Sequence, residues 1–353
     1  MKSLKLLIRQ KTDDNLRRNN FLRLDKNERN FKFNGKYLNK FKKAISSSLL
    51  QSYPENLNAL KKIIAKKEKI SEKFISITPG ADGALKYIFE IFKNNKRKNI
   101  SSLFPTYAML DVYTKIFQFR LNKVFRSVDE PPFIKDLINN TTDLVYIANP
   151  NMPDGQIIEK KEILYLIKKI KGKKIFLILD ETYVDFSNHE SLKHLVKKNN
   201  NLIIIKSFSK SLGLAGLRLG YMLASPSVLN LIEKIKPLAD ISSLSVEIAS
   251  VLLRDKQFQR SYLDEIKKSK ELVRKKCRSI NLNLIETETN FFHLIFKKNL
   301  NEIYQKLKKN KILVRKNKIR LKNSFQNTLR ITYSDRRNMN YFFKKLKLIL
   351  NKI

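Results

Sequence analysis

A single cysteine, Cys277, stands in a chain of 353 residues. No disulfide can close within the chain, and a reducing compartment is expected. Cys277 lies among Lys275, Lys276 and Arg278 and reads as a half-buried helical side chain rather than a nucleophile. Histidine is nearly as scarce, with only His189, His194 and His293. His189-Glu190 followed by His194 misses the His-Glu-x-x-His spacing of helical zinc sites by one residue, so no metal centre is expected. Long apolar runs are missing too. Residues 6–8 are too few for the core of a signal peptide, and no later run reaches the ~20 residues of a membrane span, which points to a cytoplasmic protein without membrane attachment. Acidic residues number 32 against 73 Lys and Arg, leaving a formal charge of +41. That balance raises nucleic acid as a partner. The lysines, however, follow the polar faces of helix-like segments at 61–69, 168–174 and 267–276 instead of gathering in a tail. Specific nucleic-acid binding is therefore not expected.

What the chain does hold is 42% hydrophobic residues, enough at this length for one large core and a smaller unit. Its most informative stretch is 206–221, Lys-Ser-Phe-Ser-Lys-Ser-Leu-Gly-Leu-Ala-Gly-Leu-Arg-Leu-Gly-Tyr. It follows the apolar, β-branched run 202–205, which reads as a buried strand, so Lys210 falls just past a strand end. Lys210 offers an amine able to condense with an aldehyde. Ser207, Ser209, Ser211 and Arg218 add hydroxyl and guanidinium donors suited to a phosphate. The stretch resembles the Ser-Lys-x-x-Gly-Leu-Ala-Gly-Leu-Arg-x-Gly-Tyr signature of the histidinol-phosphate aminotransferase branch of fold-type I pyridoxal-phosphate enzymes.

The resemblance runs from about residue 24 to the C-terminus. Leu24-Asp25-Lys26-Asn27-Glu28 is similar to the family's Leu-x-x-Asn-Glu segment near the substrate, which makes Asn27 a candidate substrate residue; Arg29-Asn30 stands where a proline is usual. Tyr53-Pro54-Glu55 resembles a Tyr-Pro-Asp turn whose tyrosine reaches the cofactor phosphate of the other subunit, so Tyr53 implies a homodimer. Pro79-Gly80-Ala81-Asp82-Gly83 opens a helix whose apolar positions Leu85, Ile88, Phe89 and Phe92 share one face. Backbone N–H groups at such a start attract anions, and the resemblance assigns the cofactor phosphate to Gly80, Ala81 and Asp82. Tyr107, in Pro105-Thr106-Tyr107, resembles the tyrosine that stacks on the pyridine ring. Asn149-Pro150-Asn151-Met152-Pro153-Asp154-Gly155 is similar to Asn-Pro-Asn-Asn-Pro-Thr-Gly. Met152 takes the place of the asparagine that bonds the cofactor's phenolic oxygen. A thioether is a poor acceptor and no donor, and Asn151 is expected to take that contact over.

Past the apolar strand 175–179, Asp180-Glu181-Thr182-Tyr183 resembles Asp-Glu-Ala-Tyr. A carboxylate just beyond a buried parallel strand lies where ligands bind in open α/β sheets. The resemblance implies that Asp180 pairs with the pyridine nitrogen and that Tyr183 bonds the phenolic oxygen. Arg315 and Arg330 resemble two C-terminal arginines, one reading a substrate phosphate and the other a carboxylate-side group. Further helices are expected at 41–50 and as one long amphipathic stretch at 246–279, with strands at 291–296, 312–315 and 329–333 and a weak helical pattern over 1–20.

The resemblance thus implies an α/β protein of fold type I, with a mostly parallel seven-stranded sheet, helices on both faces and a small α+β domain. Residues 1–44 are expected to join the small domain, 45–240 to form the large cofactor-binding domain and 241–353 the small one. Pyridoxal 5'-phosphate on Lys210 is the implied cofactor. The implied reaction exchanges an amino group between a phosphorylated amine or amino acid and a 2-oxo acid such as 2-oxoglutarate. One rival is decarboxylation of a phospho-amino acid of the threonine-phosphate or serine-phosphate type. The other is a basic RNA-binding protein on an inactive scaffold, against which Lys210, Asp180 and Tyr183 together argue.

Overall fold

The computed structural model describes residues 17–55, 57–94, 97–125, 134–317 and 327–352. The short apolar run at 6–8 and most of the weak helical pattern over 1–20 lie outside them. A two-residue strand, β1 (Leu22–Arg23), precedes the large sheet. That sheet is built from β2 (Ile75–Thr78), β3 (Asn99–Phe104), β4 (Arg120–Phe125), β5 (Leu144–Ala148), β6 (Phe176–Asp180), β7 (Leu202–Ser207) and β8 (Gly220–Leu223). Its order is β2-β8-β7-β6-β5-β3-β4, and every pairing is parallel except the two that β8 makes.

The central strands read as continuous apolar runs because helices cover both faces. Alternate side chains feed two cores. Val145, Ile147, Leu177, Leu179 and Ile204 face the helices Leu57–Glu68, Lys160–Ile170 and Ser243–Leu253. Leu144, Tyr146, Ile178, Ile203 and Ile205 face Gly80–Asn94 and Pro226–Ile235. Leu85, Ile88, Phe89 and Phe92 are all buried there, as their spacing requires.

The second unit has a four-stranded antiparallel sheet, in the order β12 (Arg315–Lys316), β13 (Thr328–Thr332), β10 (Phe291–Ile295) and β9 (Asn283–Ile285). Its core, around Phe292, Leu294, Ile331 and Phe342, is closed by the helices Lys256–Ser279, Leu300–Lys309 and Arg336–Leu350. β1 pairs in parallel with β11 (Ile312–Leu313), Leu22 opposite Ile312, so the N-terminal segment packs with this C-terminal unit.

Three expected elements are divided. The stretch 41–50 falls across helices Gly35–Ala44 and Ser47–Gln51, the second capped by the Ser46 hydroxyl, which accepts from the Leu49 N–H at 3.4 Å. The stretch 246–279 breaks at Arg254 and Asp255, where the Asp255 carboxylate accepts from the Gln257 N–H at 3.1 Å. A short side-chain acceptor competes with the helix ladder and starts a new helix. Residues 312–315 are shared between β11, which pairs with β1, and β12, which pairs with β13. Cys277 is buried in Lys256–Ser279, and burial pushes its thiol up to about 12. No helix of the described residues is long and apolar enough to cross a membrane.

Candidate active site

Asp180 closes β6 and Ser207 closes β7, so the residues singled out in the sequence emerge from adjacent parallel strands at the same edge. Asp180 is buried. Its two oxygens accept from the Thr182 N–H at 3.0 Å and the Tyr146 hydroxyl at 2.9 Å. Burial pushes the Asp180 carboxyl up, and no cation pairs with it among the described residues. Tyr183 is buried beside it in sequence and accepts from the Asn27 side-chain amide at 3.0 Å. The Lys210 ammonium lies 5.7 Å from the centre of the Tyr183 ring and donates to the carbonyls of Lys26 at 3.3 Å and Asn27 at 3.1 Å. It makes no ion pair among the described residues. Asn27 is the hub of this group. Its backbone N–H donates to the Thr332 hydroxyl at 3.0 Å, and its carbonyl also accepts from the Asn290 amide at 3.1 Å. Arg29 clamps the same segment, its guanidinium lying 4.2–4.9 Å from the rings of Phe31, Phe33 and Tyr262.

At the neighbouring strand end, β2 runs into the helix Gly80–Asn94 through Gly80, whose φ of 73° favours glycine. A Cβ there would lie 3.4 Å from the Arg218 guanidinium. Arg218, itself left-handed at φ 51°, reaches back to the Asp82 carboxylate at 3.5 Å. The Tyr107 hydroxyl donates to the other Asp82 oxygen at 2.7 Å, and burial, with Asp82 alongside, pushes that phenol well above its ordinary value. The backbone of Gly80, Ala81 and Asp82, the Arg218 guanidinium and the hydroxyls of Ser207 and Ser209 thus belong to three turns at one sheet edge.

Arg330 is 8% exposed. Its guanidinium donates to the Asp25 carbonyl at 3.0 Å and the Met152 sulfur at 3.1 Å, while Nε is buried without a partner. Burial brings this cation down to about 10. Arg315 lies opposite it in the β12–β13 ladder, and burial lowers its guanidinium as well. Asn151 departs from its expected role. Its amide donates to the Pro105 carbonyl at 3.0 Å and Asp154 at 2.8 Å and accepts from the Thr106 hydroxyl at 3.1 Å, so both donor hydrogens are spent on closing the loop. Tyr53 is not brought to the group either: it is 84% exposed, in a separate shallow pocket with Ser48, Ser243 and Glu247.

Several residues here were not singled out in the sequence. Tyr146 holds Asp180 from inside an apolar strand, its only signal being a hydroxyl in that run. Behind the strand ends, Lys206 lies 3.6 Å from Glu181 and 3.7 Å from Glu68, and Glu68 also accepts from Lys193 at 2.7 Å and Tyr221 at 2.8 Å. Burial opposes the charge on Glu68, but Lys206 and Lys193 outweigh it and hold the carboxyl at about 2. His293 is fully buried, bonded to the Pro153 carbonyl at 2.9 Å and the Asn317 amide at 3.0 Å. With a carbonyl at Nε2 and an amide donor at Nδ1, the neutral imidazole with its hydrogen on Nε2 satisfies both.

The profile of the family Aminotransferase class I and II matches residues 12–346. The chain belongs to this family. Among relatives of this aminotransferase, the histidinol-phosphate aminotransferase of Brachyspira hyodysenteriae is 31% identical over 85% of this chain and 84% of its own length. That of Clostridium novyi is 29% identical over 83% of each. A solved histidinol-phosphate aminotransferase from Sinorhizobium meliloti, in complex with pyridoxal 5'-phosphate, superposes with a TM-score of 0.85 at 20% identity, covering 99% of this chain and 97% of that one. It shares the fold. As a member of this family the chain is a pyridoxal-phosphate-dependent enzyme, and its residues fit the group. Asp180 is a buried carboxylate lacking a cation, as a protonated ring nitrogen requires. Lys210 is an amine held only by carbonyls and a ring face, and the cradle at Gly80 has no Cβ beside the Arg218 guanidinium.

Proposed function

We propose that this aminotransferase acts on histidinol phosphate, or a phosphorylated amine close to it, with a 2-oxo acid such as 2-oxoglutarate as the other partner. The observation that carries the reading is Arg330, a buried guanidinium that makes no ion pair among the described residues and has Arg315 across the ladder. A desolvated, unpaired cation is costly, and an anionic substrate group would offset that cost. Two arginines suit a substrate pair carrying phosphate on one member and two carboxylates on the other. Relatives named for this reaction over more than four-fifths of the chain support the same choice.

In this reading Ser207, Ser209, Arg218 and the backbone of Gly80, Ala81 and Asp82 hold the cofactor phosphate. Tyr107 covers the ring, and Asp180, steadied by Tyr146, keeps a proton at the ring nitrogen. Tyr183, which accepts from Asn27, donates its own hydrogen to the phenolic oxygen, a contact that Asn151 is not free to make. The bound cofactor supplies the electron sink for the carbanion at the substrate Cα. With the cofactor in place, Lys210 would be the group that takes the proton from the substrate Cα and holds it for return. It would do so as the neutral amine, after leaving the Lys26 and Asn27 carbonyls. Arg315 would orient the phosphate of the amine donor and Arg330 a carboxylate of the 2-oxo acid, so that the Cα of either partner is presented to Lys210. The enzyme works as a homodimer in the cytoplasm, Tyr53 reaching the phosphate of the partner's cofactor.

The test is a donor screen with 2-oxoglutarate. Histidinol phosphate should give glutamate at a kcat/KM at least tenfold above unphosphorylated histidinol. Release of carbon dioxide from threonine phosphate or serine phosphate, without consumption of the keto acid, would instead decide for a decarboxylase.

A further inference from the structure

At the opposite edge of the large sheet, where the parallel strands begin, a cleft of about 460 Å³ opens between the turn before β6, the turn before β7 and the helix Pro226–Ile235. Asp180 and Ser207 lie at the far ends of those strands, five or six residues on, which at ~3.3 Å per residue is roughly 15–20 Å away. The cleft is more basic than the composition requires. Five of its thirteen lining residues are Lys or Arg and none is acidic, against 73 and 32 in 353 for the chain. Lys171, Lys173, Lys174 and Lys198 make no ion pair among the described residues. Like charges held within the ~8 Å screening length at physiological salt repel one another. Arg97 is fixed at the rim, donating to the Lys174 carbonyl at 3.0 Å and lying 5.6 Å from the centre of the Phe176 ring.

A solvated lysine face needs no apolar centre, yet this one has a floor of Phe176, Val228 and Leu231, the last 44% exposed. The side-chain amides of Asn199 and Asn201 are bound to backbone carbonyls, whereas that of Asn200, on the rim, has no partner among the described residues. A cationic rim, an apolar floor and a free amide suit a flat ring that bears phosphate. The volume is that of a small-ligand site rather than of a track for a strand, small-molecule pockets running about 300–1,000 Å³. We propose that this cleft binds a nucleoside phosphate at a site separate from the active site, with the phosphate among Arg97, Lys171 and Lys174 and the base over Phe176 and Leu231.

Calorimetric titration of the cofactor-loaded enzyme with AMP, inorganic phosphate and a 20-residue oligoadenylate tests it. AMP should bind at least tenfold more tightly than inorganic phosphate. Lys171→Glu/Lys174→Glu/Lys198→Glu should lower AMP affinity at least tenfold with transamination unchanged, and Leu231→Ser should weaken AMP while sparing phosphate. Should the triple reversal not fold, the triple glutamine variant carries the same expectation. Equal binding of AMP and phosphate, or AMP binding untouched by these changes, overturns the proposal. So does oligoadenylate binding that far exceeds AMP and ignores Leu231→Ser, which would make the cleft a generic polyanion surface. Loss of transamination with cleft binding intact would bear on the active site alone.

Discussion

Lys206 and Lys210 stand four residues apart with opposite surroundings. Burial pulls the Lys206 ammonium down, but Glu181 and Glu68 more than offset it, so it stays charged and is no nucleophile. Lys210 faces only carbonyl oxygens and a ring. Borohydride should therefore fix the cofactor on Lys210 alone, and Lys210→Ala should leave no covalent adduct and lower turnover by a factor on the order of 10²–10⁴; peptide mapping that finds the adduct on Lys206 would reject this. His293 gives a pH dependence with a definite sign. Burial, reinforced by Arg330, pushes it down to about 3. The unfolded chain binds a proton near pH 6.5 that the folded chain refuses, so stability falls as pH drops below 6.5, by up to about 1.4 kcal/mol per unit. Urea titrations between pH 6.5 and 5, above most carboxylate titration, should show this slope, and His293→Gln should flatten it. An unchanged slope in that variant would show that another group is responsible.

The strand ends behave as one element tied from behind. Glu181 follows Asp180 and Lys206 precedes Ser207, so their contact links the ends of β6 and β7 that carry the chemistry, while Glu68 brings in the helix Leu57–Glu68. Breaking a buried pair by removing one member typically costs about 3–5 kcal/mol, because the other charge is left behind. Lys206→Met should lose about that much in urea unfolding, and Lys206→Met with Glu68→Gln and Glu181→Gln should recover a good part of it. A loss well under 1 kcal/mol would mean that the network does not hold the strand ends. Little of this network was legible beforehand. β5 showed in the sequence because a strand buried on both faces is apolar throughout. The 206–221 stretch showed because its residues are local to one turn. A buried cation, by contrast, has no local pattern; its acids lie on other elements. The breaks at Ser46 and Asp255 were hidden for a related reason, since apolar spacing continues across a cap that only the chain direction reveals. Asn151 was misjudged because its loop partners, Pro105 and Thr106, belong to another turn.

For the whole molecule, several large apolar side chains stay exposed. Leu50 is 69% exposed, Tyr53 84% and Leu238 101%, near the helix Ser243–Leu253 that supports the Tyr53 turn through the Ser243 hydroxyl and Ser52 carbonyl. Light scattering should give twice the chain mass, and Leu50→Asp/Leu238→Asp should halve it while weakening the cofactor, because Tyr53 would lose its place. A wild-type monomer with full activity would end that reading. The N-terminal strap has a different consequence, one of timing. The Asn27 N–H reaches a hydroxyl, that of Thr332, 305 residues later, and at ~5–20 residues per second the ribosome needs roughly 15–60 s to supply it. The Lys210 turn itself follows Asn27 by 183 residues, so over the remainder of that interval the turn exists while the strap still lacks its Thr332 and Asn290 partners. Ribosome-bound chains should thus be open to proteolysis at the strap until Thr332 has been made, and the carbonyls that hold the Lys210 amine are fixed in place only from then on.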